Sequence, residues 1–180
     1  MNGAGFRPKI GLVGAARNGL ALAHIIADNG HDVVLYTSLE ERYRELQERR
    51  TVNALLPELD RLHERVDVTN DIARIGAECE LVILTVTTTY FVKIVRELGD
   101  VLDGAHRLVH ALHTLEGHRL ERVSQLIQHY SCVRQIGVLA GPTHVTELLT
   151  DRPNAAVIGS AYPSIIRRCQ EVLARPNLRV

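Results

Sequence analysis

The hydrophobic positions of the chain switch between a strand period and a helix period. Residues 8–13, Pro-Lys-Ile-Gly-Leu-Val, form a short apolar run that reads as a buried strand. Gly14-Ala15-Ala16-Arg17-Asn18-Gly19 follows at once, and then Leu20, Ala21, Ala23, His24, Ile25 and Ala27 give a helix. That helix closes at Asn29-Gly30, where glycine accepts a left-handed cap. Residues 31–37 return to a β-branched strand pattern. Residues 39–50 are a charged helical pattern anchored by Tyr43 and Leu46, and residues 51–64, broken by Pro57, read as a loop or short helical turn. Val66-Asp67-Val68 predicts a third strand, and Asn70-Asp71 an N-cap for a helix over residues 72–77.

Residues 81–86, Leu-Val-Ile-Leu-Thr-Val, are the least polar stretch and suit the centre of a parallel sheet covered on both faces. Thr87-Thr88-Thr89 then opens a helix with Phe91, Ile94, Val95 and Leu98 at i, i+3, i+4 and i+7. After Gly104 the pattern predicts a strand over 107–112, a helix near 120–129 and a strand over 133–139. The turn Gly141-Pro142-Thr143 leads to a short helix over 145–149 and a strand over 155–158. Pro163 opens a last helix with Ile165, Ile166, Cys169, Val172 and Leu173 inward. Residues 177–180 read as a strand just begun, so the chain is either a piece of a longer protein or finishes on an edge strand. Strands alternating with helices throughout predict an α/β fold, a doubly wound, Rossmann-like, mostly parallel sheet with helices on both faces.

Bulk composition narrows the function classes. With 180 residues, 46% of them hydrophobic, the chain can bury a full core as one domain. The 21 basic and 21 acidic residues balance, so neither nucleic acid nor an anionic membrane is an expected partner. No apolar run approaches the roughly 20 residues that span a bilayer. Residues 1–7 lack an apolar signal core, and a cytoplasmic location is expected. Cys79, Cys132 and Cys169 are far apart and odd in number, which fits reduced, partly buried thiols.

The strand, glycine-rich turn, helix and strand at the start form the unit that seats a pyrophosphate on a helix N-terminus. Here the turn reads G-x-A-x-x-G. Gly14 can make the tight turn and Gly19 can let helix and strand approach closely. Ala16 holds a methyl where phosphate oxygens would pack, and Arg17 and Asn18 complete the candidate cofactor contacts. About 20 residues beyond Gly14, where an acid usually takes the ribose hydroxyls, the chain reads Tyr36-Thr37-Ser38. Ser38 leaves NADP tolerable, but no arginine is evident as a 2′-phosphate clamp, so little discrimination between NAD and NADP is expected.

The order of Lys9-Ile10-Gly11-Leu12-Val13-Gly14-Ala15, Gly30-His31-Asp32-Val33, Asn53-Ala54-Leu55-Leu56-Pro57 and Gly141-Pro142-Thr143 with Glu147-Leu148 resembles the NAD(P)-dependent glycerol-3-phosphate dehydrogenases. The likeness is to their N-terminal nucleotide-binding domain and runs nearly end to end. It implies NAD or NADP as cofactor, a small phosphorylated polyol or related hydroxy compound as substrate, and a second copy of the chain as a candidate partner. It places Gly141 and Thr143 beside substrate and nicotinamide, and Val145 near the cofactor amide. The bland alternative for Thr143 is an ordinary helix N-cap.

Several positions depart from the family pattern. Ala111-Leu112-His113-Thr114 puts His113 where the family has a lysine that touches nicotinamide and substrate. Arg17 and Asn18 replace a serine and an aromatic or similar residue, and Val86 replaces a proline. The family's helical C-terminal domain, with its principal catalytic lysine and phosphate-binding arginine, has no counterpart in residues 1–180. His113 and Thr143 are thus the candidate catalytic residues, with Gly141 joining them at the substrate. His110, His113 and His118 suggest a metal, but on a strand i and i+3 face opposite ways, so none is expected. Two further readings stand beside the dehydrogenase. One is a catalytically inert nucleotide-binding or regulatory module, and the other a diverged dehydrogenase in which histidine is a retuned acid-base group.

Overall fold

The computed structural model describes residues 8–112, 115–116, 121–141, 145–150 and 152–180. The chain opens with β1 (Lys9–Val13), α1 (Arg17–Asp28), β2 (Val33–Tyr36), α2 (Glu40–Glu48), β3 (Val66–Thr69) and α3 (Ala73–Glu78). It continues through β4 (Cys79–Leu84), α4 (Thr88–Val101), β5 (Arg107–His110), β6 (Leu115–Glu116), β7 (Glu121–Arg122) and α5 (Val123–Tyr130). The remainder is β8 (Gln135–Ala140), α6 (Val145–Leu148), β9 (Asn154–Ala155), β10 (Val157–Ser160), α7 (Pro163–Leu173) and β11 (Leu178–Arg179).

Seven strands form the main sheet in the order β10-β8-β5-β4-β1-β2-β3. All neighbours are parallel except β10, which runs antiparallel to β8. The run that the sequence places at the centre is β4, with three strands on each side. Its Leu81, Val82, Ile83 and Leu84 are completely buried. Each such side chain contributes roughly 1.5–3 kcal/mol relative to an exposed one, which is why so apolar a strand settles in the middle.

Alternation along the strands separates two cores. Ile10, Leu12, Val33, Leu35, Leu81 and Ile83 face α1, α2 and α7. Val34, Tyr36, Val82, Leu84 and Leu108 face Ile75, Phe91, Ile94, Leu98 and Ile127 of α3, α4 and α5. The expected doubly wound architecture is therefore present, with helices on both faces. Gly30 closes α1 at φ 89°, the left-handed conformation that the sequence suggested. Asp71 accepts the Ala73 N–H at 3.0 Å and caps the start of α3, whereas Asn70 donates to Glu40.

Several boundaries move. The strands expected over 81–86 and 107–112 end at Leu84 and His110, because the following residues turn over the sheet edge. The expected strand over 155–158 splits into two. Asn154 and Ala156 donate to the Asn177 and Arg179 carbonyls, which ties β9 to β11, while β10 joins β8. The last residues form a strand as expected, but in that small side sheet. Ile166 is only half-buried, unlike Ile165, Cys169, Val172 and Leu173. Cys79 and Cys169 are buried, and burial pushes both thiols up to about 12, whereas Cys132 is exposed. Among the described residues no helix is long and apolar enough to cross a membrane, and no group of three or more metal-ligating side chains assembles.

Glu78 at the end of α3 receives Lys9 at 2.7 Å and Arg74 at 2.6 Å, and Arg74 also reaches Asp67 on β3. Bonds from Arg74 and then Lys9 hold the Glu78 carboxyl down at about 2, against an ordinary 4.5. A carboxyl depressed on folding stabilises above its unfolded pKa and loses that contribution as pH falls through the folded one. Solvent reaches all four side chains, which limits the network to about 1 kcal/mol. Glu78→Gln is expected to lower the unfolding free energy by about that amount at pH 7. Urea titrations should show the gap to the unmutated chain closing between pH 4.5 and about 2.

Candidate functional site

The parallel register brings Val13, Tyr36, Leu84 and His110 level at one edge of the sheet. The segments beyond them, Gly14 to Ala16, Thr37 to Leu39, Thr85 to Thr87 and Ala111-Leu112, therefore rise side by side. β1 and β4 part here, since the chain winds outward from β1 in one direction and from β4 in the other. In open α/β sheets ligands bind at such a switch point.

Three residues shape the turn. Gly14 takes φ 115°, which a residue with a Cβ adopts only under strain. At Gly19 a Cβ would stand 1.8 Å from the Gly14 carbonyl oxygen and 2.7 Å from Thr85 Oγ1. Helix α1 thus lies directly on the turn that precedes it. The buried Thr85 hydroxyl donates to the Val13 and Gly14 carbonyl oxygens at 3.2 and 3.0 Å and fastens β4 to the same turn. Thr85 escapes a sequence reading because it sits inside an apolar run and reads as one more strand residue.

Ala16 is the N-cap of α1, extended at φ −90° and ψ −179°, and it makes no side-chain cap to the first turn. A helix start of this kind carries unsatisfied N–H donors and roughly half a positive charge. Ala16, Arg17 and Asn18 are exposed there, whereas Gly19 is buried against the turn.

Three clefts follow the edge and share their walls. The first, of about 190 Å³, lies among Gly14, Ala16, Ser38, Arg42, Thr87 and Tyr90. Ala16 and Thr87 also line the second, of about 640 Å³, with Arg17, Asn18 and Ala111. Asn18 and Ala111 lead into the third, of about 170 Å³, beside Gly141 and Val145. The predicted residues Gly14, Ala16, Arg17, Asn18, Ser38, Gly141 and Val145 thus lie along one groove. His113 and Thr143 lie outside the described residues, as does His118.

Residues 51–64 lean over this groove. Leu55 lines the first two clefts. Glu58 stands 3.9 Å from Arg17. Its own backbone N–H, the Thr146 hydroxyl and then Arg17 hold its carboxyl below the usual range. Of the four large hydrophobic side chains left exposed among the described residues, Leu39 and Tyr90 both flank the first cleft, giving it apolar walls at solvent. Neither was singled out by sequence, since each belongs to a helical pattern whose solvent face is unremarkable.

The residues present fit a dinucleotide. The glycine cradle would be filled by a Cβ, the uncapped α1 N-terminus suits a pyrophosphate, and the groove extends to both sides of it. Ala16 keeps its methyl at the junction of two clefts, but its extended backbone needs no glycine. Gly19→Ala should force α1 off the turn. It is expected to lower stability by about 3 kcal/mol, read from urea unfolding.

Residues 9–165 match a family model described as the NAD-dependent glycerol-3-phosphate dehydrogenase N-terminus. A curated NAD(P)+ glycerol-3-phosphate dehydrogenase of Halalkalibacterium halodurans is 30% identical over 174 residues, which are 95% of this chain and 50% of that protein. The enzyme of the same name from Halothermothrix orenii is 27% identical, over 96% of this chain and 50% of that protein. The crystal structure of glycerol-3-phosphate dehydrogenase from Coxiella burnetii shares the fold with a TM-score of 0.89 at 20% identity, covering 97% of this chain and 53% of that one. The Saccharomyces cerevisiae enzyme gives 0.83 at 18% identity, with 97% and 56% covered. The chain spans about half the length of the curated relatives it matches.

Proposed function

Because the chain belongs to the NAD-dependent glycerol-3-phosphate dehydrogenase family, as its N-terminal nucleotide-binding domain, we propose that the edge groove seats NAD(H) or NADP(H) for hydride exchange with a small polyol phosphate. The observation that carries this reading is the uncapped N-terminus of α1, pressed onto Gly14 at Gly19 and opening on a groove that runs to either side. Backbone N–H groups there bind the pyrophosphate, with Arg17 adding a cation, and Gly14 leaves room for its approach. Ser38 faces the ribose and Val145 the amide end.

When bound, the nicotinamide gives or takes the hydride at the carbinol carbon. The chain holds that carbon in place through Gly141 and Thr143. His113 carries the proton that the substrate oxygen gains in reduction or loses in oxidation, a task suited to imidazole near neutral pH. A mainly helical second domain, bearing a lysine and a cationic phosphate site, completes the active centre over Gly141 and His113. The half-length match to the curated enzymes supports this division of labour. Ala16 favours a second reading, an inert nucleotide-binding module, because its methyl crowds the pyrophosphate seat.

Calorimetry with NADH and NADPH tests the cofactor reading. Both are expected to bind, and Ala16→Gly should tighten binding by about 1 kcal/mol, roughly fivefold. Silence from both cofactors with both variants would end it. The 180-residue chain alone is expected not to reduce dihydroxyacetone phosphate at an enzymatic rate. A positioned acid-base group is worth roughly 10²–10⁴-fold, and the second domain supplies part of that help. Robust turnover would move the whole active centre into this chain.

A further inference from the structure

The first cleft, at the ends of β2 and β4, has one charged wall. Arg42 is the charged side chain among the described residues that line it, the rest being glycine, alanine, hydroxyl or apolar residues. Arg42 belongs to the first turn of α2, which starts directly after the segment Thr37 to Leu39, and its side chain is 27% exposed. Glu45 holds the guanidinium at 2.6 Å. One carboxylate leaves further N–H donors of the planar fork free for a second anion.

The acids nearby are turned to other work. Glu40 accepts Arg44 and Asn70, each at 2.9 Å, and lines no part of the cleft. Glu41 is exposed and also outside the lining. Glu97 and Asp71 help burial to raise the Tyr36 phenol, but neither lines the cleft. Thr37 turns inward, its Oγ1 accepting the Leu39 N–H at 3.3 Å, and Ser38 is left on the rim.

In the dinucleotide-binding unit, the end of the second strand is where the adenosine ribose lies. An acid there takes a free 2′-hydroxyl and repels a phosphate, and an arginine does the reverse. We propose that Arg42 is a specificity-determining residue that gives this chain a preference for the 2′-phosphorylated cofactor, NADP(H). The inference rests on the dinucleotide reading above and departs from the even-handed binding that the sequence alone led to. Arg42 forms charge-assisted bonds to the 2′-phosphate while Glu45 keeps the side chain against the cleft. The Ser38 hydroxyl donates to the same group without a competing charge.

The test is calorimetric titration of the 180-residue chain with NADPH and NADH, repeated with adenosine 2′,5′-bisphosphate and 5′-AMP to isolate the adenosine end. NADPH should bind roughly tenfold or more tightly than NADH. The bisphosphate should exceed 5′-AMP by a similar factor, and both ratios should shrink as salt is raised. Arg42→Ala should bring both ratios to within about threefold of unity, with the loss falling on the phosphorylated member of each pair. Arg42→Lys should keep part of the preference as a point charge, and Glu41→Ala should leave the ratios unchanged. Equal affinities for NADH and NADPH, or a preference that survives Arg42→Ala, would overturn the assignment while leaving dinucleotide binding intact. No binding of any of the four probes would instead overturn the dinucleotide reading, and this inference with it.

Discussion

The contact on which the rest depends is the one between Gly19 and the Gly14 carbonyl, closed from the far side by Thr85. A single methyl at residue 19 would overlap that oxygen. Without it, the first turn of α1 sits on the β1 turn, and the helix axis points its N-terminal dipole across the sheet edge. The Thr85 hydroxyl bonds to Val13 and Gly14 tie β4 into the same knot. A shift of α1 would move the N–H donors and the walls of the second and third clefts together.

That knot lies where the winding of the sheet reverses, so it coincides with the open crevice. β1 has β2 on one side and β4 on the other, and their connecting segments diverge. Each segment brings a different chemistry to the crevice: backbone donors after β1, hydroxyls and one arginine after β2, hydroxyl and apolar groups after β4. The loop of residues 51–64 adds no strand, yet its Glu58 touches both α1 through Arg17 and α6 through Thr146. It thereby connects the α1 end of the groove to the Gly141 end. Fold alone does not establish chemistry, since one sheet plan supports many reactions. The family match concerns the N-terminal nucleotide-binding domain, and the chain spans about half the length of the curated relatives it matches.

The central strand, the two-sided burial, the glycine turn and the Phe91 to Leu98 helix face were all legible in the sequence. Each is written in local periodicity, which records how many faces of a segment meet solvent. The backbone demand at Gly14 is local as well, because a turn of that tightness needs a positive φ wherever it occurs. Other features are set by partners distant in the chain. Ala155 and Val157 look like one strand until Arg179 takes the backbone on one side of Ala156 and Ala140 on the other. Thr85 looks like a strand residue until Gly14 arrives within reach of its hydroxyl. Arg42 looks like one charge among many on a solvated helix until the sheet edge places it as the charge lining an otherwise neutral cleft. Sequence determined which surfaces had to be buried, because burial is a property of each segment's own pattern. Tertiary structure decided which polar groups meet, because that depends on where the packed elements bring their ends together.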